Sequence, residues 1–313
     1  MKPKDDGNPA PAGSNRRVFL KTGLAFAGAA VSGALIPPTV GADKPPIFKI
    51  SLAEWSYNKA IFGKKMDHMD FPRVARRDHD IHAIELVNQF FKDKAKDQKH
   101  LAEFKKRADD EGVKILLIMC DDEGHLGDAD QKKRLQAVDN HHKWAEAAKF
   151  FGCHSIRVNA YSTGTPEEQR ERAADGLRRL AEFGASLGLN VIVENHGGVS
   201  SHGDWLVSVM KRVDLPNCGT LPDFGNFKEY DRYKAVEEMM PFAKAVSAKS
   251  QDFDAAGNET RTDYRRMLKI VADAGYRGYL GIEYEGGKTG EAEGIRLTKR
   301  LIEKVMGEMA GKG

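Results

Sequence analysis

Short apolar runs recur along the chain between stretches dense in charge: IFKISLA (47–53), IHAIEL (81–86), VKILLIMC (113–120), HSIRVN (154–159), NVIVEN (190–195), CGTLPD (218–223), AVSAKS (245–250) and YLGIEY (279–284). Each has the length and composition of a strand, which predicts eight of them. The intervening segments carry apolar residues at helical spacing. QKHLAEFKKRADDEG (98–112) places Leu101, Phe104 and Ala108 on one face and stops at a glycine. QKKRLQAVDNHHKWAEAAKFFG (131–152) and PEEQRERAADGLRRLAEFGASLG (166–188) also end on Gly, the latter after an opening Pro166. Segments 201–213, 235–243, 263–275 and 290–311 continue the alternation.

Strand followed by helix, repeated, argues for parallel βα units. A doubly wound open sheet competes with a closed barrel, but no G-x-G-x-x-G follows the first run. Eight strands in a segment of this size fit a single (β/α)8 TIM barrel, α/β in class. No Pro/Ser/Gly linker, low-complexity tract or strong internal repeat divides residues 43–313, so they are expected to form one domain.

The first 42 residues follow a different pattern. Asn15-Arg16-Arg17-Val18-Phe19-Leu20-Lys21 precedes an uncharged stretch from Thr22 to Ile36 and then Val40-Gly41-Ala42. Twin arginine, a short apolar segment and small residues at a cleavage site resemble a Tat-type export signal. Leu24 to Ile36 spans 13 residues before Pro37-Pro38, short of the ~20 that a membrane-spanning helix needs. The expectation is export by the Tat machinery, cleavage near Ala42, a periplasmic or otherwise extracytoplasmic mature chain, and no stable membrane insertion afterwards. The charge balance changes accordingly. The whole chain has 49 basic and 46 acidic residues, but positions 1–42 hold five basic and two acidic ones, leaving 44 of each in the remainder. Bulk charge therefore gives no support to nucleic acid binding.

Cys120, Cys153 and Cys218 are odd in number and widely spaced, which fits neither a disulfide framework nor a zinc ribbon; they read as buried small hydrophobes. A Tat substrate is usually folded before export, often around a cytoplasmically loaded cofactor, which favours a metal or cofactor here. His141 and His142 are adjacent in a helical segment and point to different faces, so they read as a poor chelate on a solvated face. Gly197-Gly198 before a helix offers backbone N–H groups, but there is no P-loop.

In a barrel, functional groups gather at the C-terminal ends of the strands. Those ends carry Glu54 and Trp55, Glu85 and Asn88, Asp121 and Asp122, Arg157 and Asn159, Glu194 to His196, Asp223 and Asn226, Lys249 to Asp252, and Glu283 and Glu285. Three acids stand out because they close otherwise apolar runs: Glu194 after Val191-Ile192-Val193, Asp223 after Leu221-Pro222, and Glu283 after Gly281-Ile282. Converging carboxylates at a partly dehydrated site must protonate, find cations or bind metal. Their oxygens suit Mg²⁺ or Mn²⁺, with Zn²⁺ or Co²⁺ open to a site that an imidazole joins.

VIVENHGG (191–198), TLPDFGNF (220–227) and LGIEYEG (280–286) are similar to the motifs of the xylose-isomerase-like barrel proteins, a family of sugar and sugar-phosphate isomerases and epimerases and endonuclease IV-type enzymes. The likeness extends from about Ile47 to the C-terminal helix. It implies metal ligands at Glu194, Asp223 and Glu283 and a histidine on the seventh strand. There this sequence departs: the family often reads H-x-H-x-K-D, whereas residues 245–250 read AVSAKS and Ser247 stands where the histidine is expected. Gln251, Asp252, His196 or water is left to supply the fourth ligand, or the Lys249 ammonium to replace the cation. The resemblance implies proton abstraction next to a carbonyl through an enediolate, with Glu194 and Glu283 moving the proton and His196 and Lys249 as shuttle or oxygen contacts. Trp55, Glu85, Arg157 and Asn226 are the expected substrate contacts, with Trp55 as a stacking wall and Arg157 alternatively pairing Glu85.

The functional expectation is an exported, divalent-metal-dependent carbohydrate isomerase or epimerase with a small-molecule sugar substrate. Export disfavours a phosphorylated one. β-Elimination from a 3-keto-glycoside uses the same chemistry. An endonuclease IV-like nuclease needs a richer zinc cluster and a DNA-attracting surface, and a non-catalytic sugar-binding barrel is the remaining alternative.

Overall fold

The computed structural model describes residues 46–311, so the expected export signal, residues 1–42, lies outside the described residues. Eight strands form one sheet: β1 (Lys49–Ala53), β2 (Ala83–Val87), β3 (Lys114–Met119), β4 (Ser155–Val158), β5 (Asn190–Glu194), β6 (Cys218–Leu221), β7 (Val246–Ser250) and β8 (Tyr279–Tyr284). Their order is β6-β5-β4-β3-β2-β1-β8-β7, and each ladder is parallel. The two outer strands of that order meet through backbone bonds: Lys244 N–H to Thr220 O at 3.0 Å, Ser247 N–H to Pro222 O at 2.9 Å and Phe224 N–H to Ser247 O at 3.1 Å. Proline has no N–H to give, and only its carbonyl is used. The sheet closes into a single (β/α)8 barrel.

Among the described residues, nine helices surround it: α1 (Asn58–Phe62), α2 (Phe71–His79), α3 (Gln98–Asp110), α4 (Gln131–Phe151), α5 (Pro166–Ser186), α6 (Gly203–Val213), α7 (Arg232–Met239), α8 (Tyr264–Asp273) and α9 (Glu291–Ala310). The long ones begin where side chains satisfy the free N–H groups of the first turn. Asp130 accepts from Lys132 and Lys133 N–H at the start of α4, and Thr165 with Glu168 forms a capping box ahead of Pro166 in α5. Among the described residues, no helix is long and apolar enough to cross a membrane.

Two apolar cores share the strands by alternation. Val191 and Val193 of β5, Ile156 and Val158 of β4, Leu280, Ile282 and Tyr284 of β8, and Val246 and Ala248 of β7 pack in the large core with the helices. Ile192, Leu117, Met119, Val87, Ala53 and Leu221 form a small core inside the barrel. A period of two then assigns the polar strand residues. Ser51, Glu85, Arg157, Glu194, Ser247, Lys249 and Glu283 fall on the inward positions, and all are buried.

Four expectations need correction. The sequence between the first two strands holds helices, α1 and α2, that the apolar pattern did not mark. Segment 235–243 is not one helix: α7 gives way to a 3-10 turn at Met240–Phe242, where Pro241 interrupts the α ladder. Segment 201–213 begins as a helix only at Gly203, after a 3-10 turn over Gly198–Ser201. His141 is buried, not solvated; its Nδ1 is 2.7 Å from Ala137 O, one turn back in α4. The three cysteines are buried and free, as expected.

Candidate active site

The inward residues of β5, β7 and β8 and the first residues after β6 meet at one end of the barrel. Glu194, Asp223 and Glu283 each offer a carboxylate oxygen within 4.8 Å of the others, and all three are buried. Asp223 is the most fully held: its Oδ1 accepts N–H from Gly225 at 2.8 Å and Asn226 at 2.9 Å, and its Oδ2 accepts the Ser247 hydroxyl at 2.7 Å. Ser247 thus fills the expected histidine position by donating to a carboxylate.

Two cations balance the acids. Lys249 Nζ lies 2.9 Å from Glu283 Oε1, 3.5 Å from Glu285 Oε2 and 3.9 Å from Asp223 Oδ2. Burial of the ammonium favours its neutral form, but Asp223, Glu283 and Glu194 outweigh this and hold its pKa well above the ordinary value. Arg157 bridges Glu194 Oε2 through Nε and Asp121 Oδ1 through Nη1, both at 2.8 Å. This corrects the expectation that Arg157 pairs Glu85. Asn226 ties the halves together, donating to Glu194 Oε1 at 2.8 Å and accepting from Lys249 at 3.0 Å.

Even so, the charge is not matched. Glu194 Oε2 and Glu283 Oε2 are buried without a hydrogen-bond donor, since Arg157 Nε is close to the former but poorly aligned with it. Burial, set against Arg157 and reinforced by Glu283, pushes the Glu194 carboxyl up to about 7. Burial, set against Lys249, does the same to Asp223. Three clustered carboxylates, two of them with an orphaned oxygen, are the donor set of a hard divalent ion, and these residues fit one. Asp252 does not join the cluster; it faces Lys288 at 3.6 Å.

A cavity of about 390 Å³ opens onto this face, lined by Trp55, Arg157, His196 and Glu283 among others. Trp55 is fixed by its indole N–H to Glu285 at 2.7 Å and by stacking on Phe90 with centroids 6.0 Å apart. His196 is exposed at the cavity wall; partial desolvation by the groups around it, and secondarily Arg157, lowers its pKa, which favours a neutral imidazole at pH 7. Glu85 lies elsewhere. It is buried on β2 beneath the cluster, accepts from Ser51 at 2.7 Å, and is absent from the cavity wall. Its carboxylate occupies the space a Cβ on Gly281 would need, 2.5 Å away. Asp121 and Asn159, which the sequence marked only as strand-end residues, adjoin Arg157 on the cavity wall: Asp121 Oδ1 accepts from Arg157 at 2.8 Å and from Asn159 at 2.7 Å.

A family model described as xylose isomerase-like TIM barrel matches residues 75–302. Over 66 residues, 20% of this chain and 19% of the other, the sequence is 39% identical to the C-glycoside deglycosidase alpha subunit of Arthrobacter globiformis, so the match spans about a fifth of that relative. Among solved structures, 3-keto-D-glucoside 4-epimerase from E. coli aligns with TM-score 0.63 at 17% identity, over 82% of this chain and 99% of that one. The IOLI protein, in a structure with a bound zinc atom, aligns with TM-score 0.68 at 14% identity, over 83% and 99%.

Proposed function

The chain belongs to the xylose isomerase-like TIM-barrel family, and from that premise we propose that it is a carbohydrate isomerase or epimerase that abstracts a proton beside a carbonyl. The convergence of Glu194, Asp223 and Glu283, of which Glu283 lines the open cavity and Glu194 and Glu283 keep unpartnered buried oxygens, carries the proposal. Burial raises the pKa of the ion-free Glu194 carboxyl, which suits a group that must both take and return a proton. Glu283, its charge balanced by Lys249, serves as the second carboxylate. Arg157 and Asn226 hold Glu194 in place, His196 offers a neutral imidazole at the cavity wall, and Trp55 supplies an apolar ring for the sugar to lie against. Glu194, Asp223 and Glu283 would hold a divalent ion, Mn²⁺ or Mg²⁺ by donor type. Such an ion supplies a Lewis acid beside a substrate oxygen.

The same residues serve β-elimination from a 3-keto-glycoside, in which the abstracted proton leaves with a group from the neighbouring carbon. The local likeness to the C-glycoside deglycosidase subunit supports this second reading. Incubating the protein in D₂O with keto sugars and 3-keto-glycosides tests both. Deuterium beside the carbonyl with both ends of the substrate retained indicates isomerisation or epimerisation; release of a free aglycone indicates elimination. In Glu194→Gln the exchange should fall by about 10²–10⁴-fold, and undiminished exchange would refute the role of Glu194.

We further propose that residues 1–42 direct Tat export, supported by the Arg16-Arg17 pair and the short apolar stretch behind it. The substrate is then an extracytoplasmic, unphosphorylated sugar. Cell fractionation checks this: a double Arg16→Lys, Arg17→Lys variant should remain in the cytoplasm.

A further inference from the structure

A second cavity, of about 660 Å³, adjoins the first. Residues 196–199 line both, so this stretch is a partition between them. Two serines pin it: Ser200 Oγ accepts from His196 N–H at 3.1 Å, and Ser201 Oγ accepts from Gly197 N–H at 2.9 Å while donating to Asn226 O at 2.6 Å. Gly197 and Gly198 have φ of 91° and 56°, the left-handed region that favours glycine. A Cβ at either would meet no atom within 4 Å, so the crest of the partition stands in open space. Asn226 lines the second cavity and bonds directly to Glu194 and Lys249. The second cavity is therefore one side chain removed from the carboxylates.

Its lining differs from that of the first. Phe227, Tyr230 and His202 present rings, and Arg261 and Lys228 present cationic donors. Tyr230 is held in place: its hydroxyl donates to Glu238 at 2.9 Å and its ring packs on His202 with centroids 4.9 Å apart. Fixed rings beside hydrogen-bond donors suit a ring that bears oxygen acceptors. Cavities that enclose drug-sized ligands run to about 300–1,000 Å³, and each of these two already falls in that range. One sugar ring on the carboxylate face would leave the second cavity unfilled.

We infer, resting on the assignment of the carboxylate face as the sugar site, that the second cavity receives the group attached to that sugar. The substrate is then a glycoside, not a free monosaccharide, and its second ring, a sugar or a phenol, crosses residues 196–199. Calorimetric titration of the mature chain with methyl β-D-glucoside, cellobiose and p-nitrophenyl β-D-glucoside tests this. At least one ring-bearing probe should bind about tenfold or more tighter than the methyl glycoside, and which one does so identifies the second ring. Phe227→Ala and Tyr230→Ala should each shrink that ratio at least about fivefold; a melting curve shows which variants fold, and either suffices. Equal affinities, no binding by either ring-bearing probe, or a ratio that survives the substitutions would overturn the inference. Deuterium exchange on a methyl 3-keto-glucoside is scored separately. Exchange without a ring preference removes the second site alone, whereas a ring preference without exchange removes the proton-transfer function alone.

Discussion

Arg157 sits between two acids in a space without water's dielectric, and its substitution should expose what the pairing is worth. Its side chain is buried, as is that of Glu194, while Asp121 is partly exposed. Removing one partner of a buried ion pair leaves an uncompensated charge and costs about 3–5 kcal/mol. Arg157→Met should lose stability of that order in urea unfolding, and a second change, Asp121→Asn, should recover part of it; simple additivity of the two losses would show that the groups are not coupled. His79 makes a different kind of residue-scale prediction. It is buried, its Nε2 lies 2.7 Å from the Tyr57 hydroxyl, and its Nδ1 has no partner. Burial foremost, then Arg296, lowers its pKa to about 4. Between about 4 and the ordinary value near 6.5 the unfolded chain binds the proton and the folded chain does not, so this contribution to stability is lost as pH falls through that window. His79→Gln, which keeps an acceptor for Tyr57, should flatten the difference in urea midpoint between pH 7 and pH 5 relative to the parent. An unchanged difference would mean that His79 does not titrate on unfolding.

At the scale of elements, local preference and packing disagree most clearly at Gly176 in α5. Alanine in a helix interior is favoured over glycine by about 1 kcal/mol. Yet a Cβ at Gly176 would lie 1.9 Å from the backbone carbonyl oxygen of Leu126, in the loop after β3. Gly176→Ala should therefore destabilise by about 1–3 kcal/mol despite its better helix propensity, and a rise in urea midpoint would contradict the packing. The same tension governs how much of the fold was legible. The apolar runs located all eight strands, and YLGIEY coincides with β8, because strands buried on both faces leave a continuous signal. Helix α2 was missed: its residues FPRVARRDH are mostly polar or basic, and it stops at Asp80, a left-handed residue where a glycine would have been read. Glu194, Asp223 and Glu283 could be singled out because each interrupts or ends an apolar strand. The clamp of Arg157 on Asp121 and Glu194, and the burial of Glu85, could not. Those depend on which inward positions of β2, β4 and β5 share a layer, and closure of the barrel fixes that.

For the whole molecule, folding gathers more negative than positive charge at one end of the barrel, and the cost depends on pH and on any ion that binds. Glu194 and Asp223, both buried, are pushed up to about 7, whereas unfolded carboxyls titrate near 4. Between those values the folded chain retains protons that the unfolded chain has released, so these two groups make the ion-free protein less stable as pH rises from about 4 to 7. A divalent ion binds the ionised forms, so its stabilisation grows over the same interval. Saturating Mn²⁺ at about 100 times its dissociation constant adds about 2.7 kcal/mol. The rise in melting temperature on adding Mn²⁺ to chelator-treated protein should be larger at pH 8 than at pH 5.5. Asp223→Asn sharpens the test, because asparagine still offers an oxygen to the Gly225 and Asn226 N–H groups and its amide can donate to Ser247 in place of the hydroxyl bond. That variant should melt higher than the parent without metal, through loss of one of three mutually repelling buried carboxylates, and should gain little from Mn²⁺. If it instead melts lower without metal while keeping the full Mn²⁺ response, then Lys249 and Arg157 already balance the cluster and the ion binds elsewhere.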